Sequence, residues 1–127
     1  MPDKQLYEYA IIRVVPKVER EEFINVGVIL FSKKLKFLKT LYKVDEKRLK
    51  ALCDTLDVEE VATYLKAFEQ ISAGSKEGGP IAKLDQPSRF RWLTATRSTV
   101  VQASKVHPGF CGEPDKALEK LFEQMVL

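Results

Sequence analysis

The stretch Leu6-Tyr7-Glu8-Tyr9-Ala10-Ile11-Ile12-Arg13-Val14-Val15-Pro16, with Phe23-Ile24-Asn25-Val26-Gly27-Val28-Ile29-Leu30-Phe31 after it, decides the fold. β-Branched and aromatic residues dominate both runs, and such side chains suit the pleated surface of a strand. Pro16 closes the first run because it has no N–H to give to a sheet ladder. The charged segment Lys17-Val18-Glu19-Arg20-Glu21-Glu22 links the two, and Ser32-Lys33-Lys34 ends the second. Apolar residues fall on both faces of each strand, as expected of central strands covered above and below. A hairpin symmetric about Glu19 sets Arg13 opposite Asn25.

Outward from this hairpin, Lys36 to Lys43 fits a third strand whose lysines suit a sheet edge. Asp45 is placed to cap a helix carrying Leu49, Leu52, Cys53 and Leu56 on one stripe. Asp57 opens a second, with Glu60 three residues on, Val61, Leu65 and Phe68 down one side, and Gly74 at its C-terminal cap. Ser75 to Gly79 reads as a loop. Ser88 to Thr94 reads equally as a strand or as a short helix capped by Ser88. Thr99 to Ser104 is a strand that His107-Pro108-Gly109 ends in a turn, and Pro114 starts a closing helix with Leu118, Leu121, Phe122 and Met125 on one face. This order predicts an α+β fold, a mainly antiparallel sheet of about four strands with helices packed mostly on one face. Residues 1–127 are expected to form a single domain.

At 45% hydrophobic and 31% charged, the composition is that of a globular protein. No apolar run approaches the roughly 18 residues that span a bilayer. The polar start Met1-Pro2-Asp3-Lys4-Gln5 lacks the pattern of a signal peptide, which predicts a cytoplasmic location and no membrane partner. Cys53 and Cys111 are read as separate thiols. Phosphate-loop, nucleophile-elbow, HExxH and EF-hand patterns are absent from the sequence, so neither a cofactor nor a metal is implied and the reading leans away from an enzyme. His107 and Cys111 fall short of a zinc site, which needs about four ligands.

The net charge of +3 conceals an uneven distribution. Phe23 to Val44 contains no acid but holds Lys33, Lys34, Lys36, Lys39 and Lys43; Gln86 to Gly112 contains none but holds Arg89, Arg91, Arg97 and Lys105. In the second stretch Arg89, Arg91, Arg97, Ser98 and Thr99 are candidate phosphate ligands, because guanidinium forks and hydroxyls bind phosphate oxygens. Phe90 and Trp92 interleave them with stacking faces that bases could use. Arg13 and Asn25, meeting among apolar neighbours, require partners, and Glu22 is a candidate third member of that polar network.

Three stretches together are similar to a known family: Tyr9 to Pro16, Glu19 to Phe31, and Arg89-Phe90-Arg91-Trp92-Leu93-Thr94-Ala95 running on to Arg97-Ser98-Thr99. With Gly79-Pro80-Ile81 and Leu121-Phe122, they resemble the uncharacterised bacterial family catalogued as domain of unknown function 3037. Thr96 stands where the family pattern usually has proline, and Pro108 where threonine is commoner. The resemblance brings no established activity and no catalytic residue. It implies at most an accessory role, since such proteins are often encoded beside HipA-like serine/threonine kinases.

The first functional expectation is therefore a non-enzymatic domain that engages another protein through the sheet or the acid-free stretches. The alternative is a binder of nucleic acid or of a nucleotide or phosphate ligand through Arg89 to Thr99. A weaker one is a small enzyme acting on a phosphorylated substrate, with Arg13, Glu22 and Asn25 near those arginines. The oligomeric state is left open.

Overall fold

The computed structural model describes residues 4–17, 20–95 and 99–127. Strands β1 (Gln5–Val14), β2 (Ile24–Ser32) and β3 (Phe37–Tyr42) are followed by helices α1 (Glu46–Leu52), α2 (Val58–Ala73) and α3 (Gln86–Thr94). Strands β4 (Val101–Ala103) and β5 (His107–Cys111) precede the closing helix α4 (Pro114–Met125). The sheet has five strands in the order β3-β2-β1-β4, with β5 also paired to β1, and each pairing is antiparallel.

Arg13 does stand opposite Asn25 in the first hairpin. One step further the register slips, so that Ile12 faces Gly27 and Val26 becomes the extra residue of a bulge. The slip reverses which side chains of β2 face which layer: Val26 packs in one core, Val28 in the other. Gly27 is required here, because a Cβ at this position would lie 2.7 Å from the Leu41 carbonyl oxygen.

The fifth strand is where a turn was expected. His107-Pro108-Gly109 continues along the side of β1 that β4 begins, the two segments separated by a one-residue slip between the Ile12–Ala103 and Tyr9–His107 pairs. Proline is tolerated for a geometric reason. The Leu6 carbonyl faces β2, where it accepts from Ser32 Oγ at 2.9 Å, whereas Ile11 and Val15 bond on the β4 side. Alternation along β1 therefore makes Glu8–Pro108 a pair without ladder bonds, so the missing N–H leaves no gap.

Two cores flank the sheet. Ala10, Ile12, Val14, Ile29 and Phe31 meet Leu49 of α1, Val61, Leu65 and Phe68 of α2, and Phe90 and Leu93 of α3. On the other face Ile11, Val28 and Leu30 meet Leu118 and Leu121 of α4. Among the described residues, three helices thus share one face and α4 covers the other.

Asp45 caps α1 by accepting from the Arg48 N–H at 3.2 Å, and Asp57 caps α2 by accepting from Glu60 N–H at 3.2 Å. Gly74 ends α2 with φ 70. The expected α1 stripe is shorter than drawn: the helix stops at Leu52, Cys53 is a half-buried C-cap, and Leu56 reaches the core from the link. Ser75 to Gly79 is no open loop, since Lys76–Gly78 forms a 3-10 turn and Pro80–Lys83 a second. The stretch that read both ways is helix α3, and its cap is Asp85, which accepts from Ser88 N–H at 2.9 Å. Burial of Phe90 and Leu93, with Phe90 stacked on Phe31 at 5.2 Å, settles the choice in favour of the helical spacing.

Candidate functional site

Arg13 and Asn25 project from neighbouring strands toward the α4 face. Asn25 Nδ2 donates to the Met125 carbonyl at 3.1 Å and Arg48 Nη1 donates to the Val126 carbonyl at 3.0 Å, so the two side chains serve the C-terminal end of α4. The Arg13 guanidinium lies over the Phe23 ring, 4.2 Å from its centroid. Arg13 Nε and Asn25 Oδ1 are buried with no hydrogen-bond partner among the described residues. Glu22 does not complete this network: its carboxylate pairs with Arg20 on the solvent side.

The Arg89 side chain is committed to main-chain carbonyls. Its Nε donates to Leu84 O at 2.9 Å, and Nη1 donates to Ile71 O at 3.1 Å and Ser72 O at 2.9 Å, across the C-terminal end of α2. Arg91 is exposed on α3, and the Thr99 hydroxyl donates to Val101 O at 2.7 Å. Arg97 and Ser98 lie outside the described residues. Arg89 and Arg91 belong to a helix on the first face of the sheet, whereas Arg13 and Asn25 face α4. The sheet therefore separates Arg89 and Arg91 from Arg13 and Asn25. His107 and Cys111 share a face of β5 but sit four residues apart, about 13 Å along a strand.

Two surface features were not legible in the sequence. The first lies at the end of the sheet where β1 begins. Leu6 stands directly opposite Phe110, and both are strongly exposed, at 48% and 67%. Their pair lacks ladder bonds for the same reason as Glu8–Pro108, which brings the two side chains closest together. Alternation sets Pro108 on the same side of β5 as Phe110, and Val106, also exposed, immediately precedes the strand. Ser32, bonded to Leu6, leads directly into exposed Lys33, Lys34 and Lys36, and exposed Lys4 adjoins β1. The Gln86 amide donates to Lys36 O at 3.1 Å, so the two acid-free stretches meet at this end. The alternation of Val106, Pro108 and Phe110 with His107, Gly109 and Cys111 was the available signal, and the proline concealed it.

The second feature is a cleft at the opposite end, between the β1–β2 connection and the end of α1. A cavity of about 410 Å³ lined by Lys17, Arg20, Glu22, Lys50 and Asp54 adjoins one of about 250 Å³, and Pro16, Lys17, Cys53 and Thr55 line both. The Thr55 hydroxyl, 3.3 Å from Cys53 Sγ, holds the thiol below its ordinary pKa, with help from the Thr55 main chain and Lys17. Burial raises the other thiol, Cys111.

The chain is thus an α+β domain built on one antiparallel sheet with helices on both faces. Among the described residues no helix is long and apolar enough to cross a membrane. Residues 9–126 match the family model described as "Protein of unknown function (DUF3037)", and the chain belongs to that family. No match was found among curated proteins or among solved structures.

Proposed function

We propose that this protein is a non-enzymatic accessory domain that binds another protein through the Leu6–Phe110 end of its sheet. The observation that carries the reading is the facing pair itself, two large apolar side chains left strongly exposed at one end of the sheet. A contiguous exposed apolar patch with a polar rim is the usual mark of a protein interface, and a central aromatic is the usual anchor. Exposed Lys4, Lys33, Lys34 and Lys36 outnumber Glu8 at this end, so the fitting partner presents an apolar anchor among acidic residues. A HipA-like serine/threonine kinase is the partner suggested by the family's gene neighbourhood. The phosphate and nucleic-acid alternative is less well supported, because Arg89 already serves three carbonyls.

The test is co-expression with a HipA-like serine/threonine kinase from the same genome, followed by size exclusion at micromolar concentration. Co-elution that Phe110→Asp and Leu6→Asp abolish, with unchanged circular dichroism, supports the reading. Separate elution of the wild-type proteins, or co-elution indifferent to both substitutions, refutes it.

A further inference from the structure

Three cations reach the cleft at the far end of the sheet from two separate segments: Lys17 and Arg20 from the β1–β2 connection, Lys50 from the last turn of α1. Glu22 pairs with Arg20, both side chains being largely exposed, which leaves the other guanidinium nitrogens to face the cleft. The acceptor that Lys50 Nζ reaches among the described residues is a main-chain one, Asp54 O, at 3.4 Å. Among the described residues, no carboxylate lies within ion-pair distance of Lys17 or Lys50. The cavity of about 410 Å³ falls within the usual size of small-molecule sites, roughly 300 to 1,000 Å³.

We propose that this cleft binds a small polyanion, a phosphate ester or a di- or tricarboxylate, held by Lys17, Lys50 and Arg20. Ammonium groups act as point charges toward such a ligand and the guanidinium offers a planar fork. A monoanion would gain little, since Glu22 and Asp54 offset part of the positive charge; two or more negative charges are needed to exploit both lysines. The Cys53 thiol is not a ligand. It sits where the two cavities join and therefore reports on what fills them.

The test is the rate of Cys53 alkylation by neutral iodoacetamide on the full chain, read by mass spectrometry with buried Cys111 as internal control. Pyrophosphate and citrate are titrated separately against potassium chloride at equal ionic strength. The expected result is a saturable slowing of about fivefold by at least one of them, through steric cover and a nearby negative charge that disfavours the thiolate. Slowing by pyrophosphate alone identifies phosphate chemistry, and by citrate alone carboxylate chemistry. The slowing disappears in Lys17→Ala/Lys50→Ala. No slowing beyond the chloride control, or the same slowing in the double variant, overturns the proposal.

Discussion

Ser104 Oγ accepts the Ile11 N–H hydrogen bond at 2.8 Å, while the Ser104 N–H donates to Ile11 O at 2.8 Å. A side-chain oxygen thus replaces a ladder carbonyl at the one place where β4 gives way to β5. Ile11 is only 7% exposed, so its N–H has little access to water as a substitute partner. Ser104→Ala is expected to lower stability by about 1 to 3 kcal/mol, the cost of an unsatisfied buried donor. Urea unfolding measures it, and a loss within error would show that β4 and β5 need no such bridge.

Thr40 presents the opposite case. It is 2% exposed and its hydroxyl has no hydrogen-bond partner among the described residues. Replacing it with the near-isosteric valine removes a buried polar group while keeping the volume. Thr40→Val is expected to raise stability by about 1 kcal/mol. A lower unfolding midpoint would contradict this.

Arg89 and Arg91 should separate cleanly. Arg89→Ala strips donors from Leu84, Ile71 and Ser72 and is expected to cost about 2 kcal/mol, whereas Arg91→Ala, on an exposed position, should stay within about 0.5 kcal/mol. Comparable losses in thermal unfolding would argue against the assignment of Arg89 to the end of α2.

Gly27→Ala tests the close approach of β2 to β3. The new Cβ would meet the Leu41 carbonyl oxygen, a main-chain atom that cannot rotate away, so a loss of about 2 kcal/mol or more is expected. A neutral result in denaturant titration would mean that β2 and β3 are less tightly apposed than described.

The two thiols should differ in their pH profiles. The Thr55 hydrogen bonds hold the Cys53 pKa below the ordinary thiol value, and burial holds that of Cys111 above it. As pH rises, Cys53 becomes a thiolate first, so its alkylation rate reaches half-maximum at a lower pH than that of Cys111. Thr55→Val should move the Cys53 profile upward. Coincident profiles, measured by peptide mass spectrometry, would refute the difference.

Several of these relationships were written into local sequence. The caps at Asp45 and Asp57, the left-handed Gly74 and the Arg13–Asn25 pairing depend on residues close along the chain or on hairpin symmetry, and each was legible from spacing alone. The helical state of Ser88 to Thr94 was not, because its apolar residues Phe90, Trp92 and Leu93 satisfy both periods. Only the presence of Phe31 beneath Phe90 favours one.

Local chemistry thus determined the α+β class and the borders of most elements, since capping, turn and strand preferences act over a few residues. Tertiary structure alone decided the rest. Pro108 could join a strand only because β1 turns its bonding groups away from that position, and Arg89 could be assigned to the end of α2 only once α3 lay beside it. The Leu6–Phe110 pair and the Lys17–Lys50 cleft likewise join residues far apart in sequence. Their meeting depends on register and helix placement, which the core as a whole fixes and no short stretch encodes.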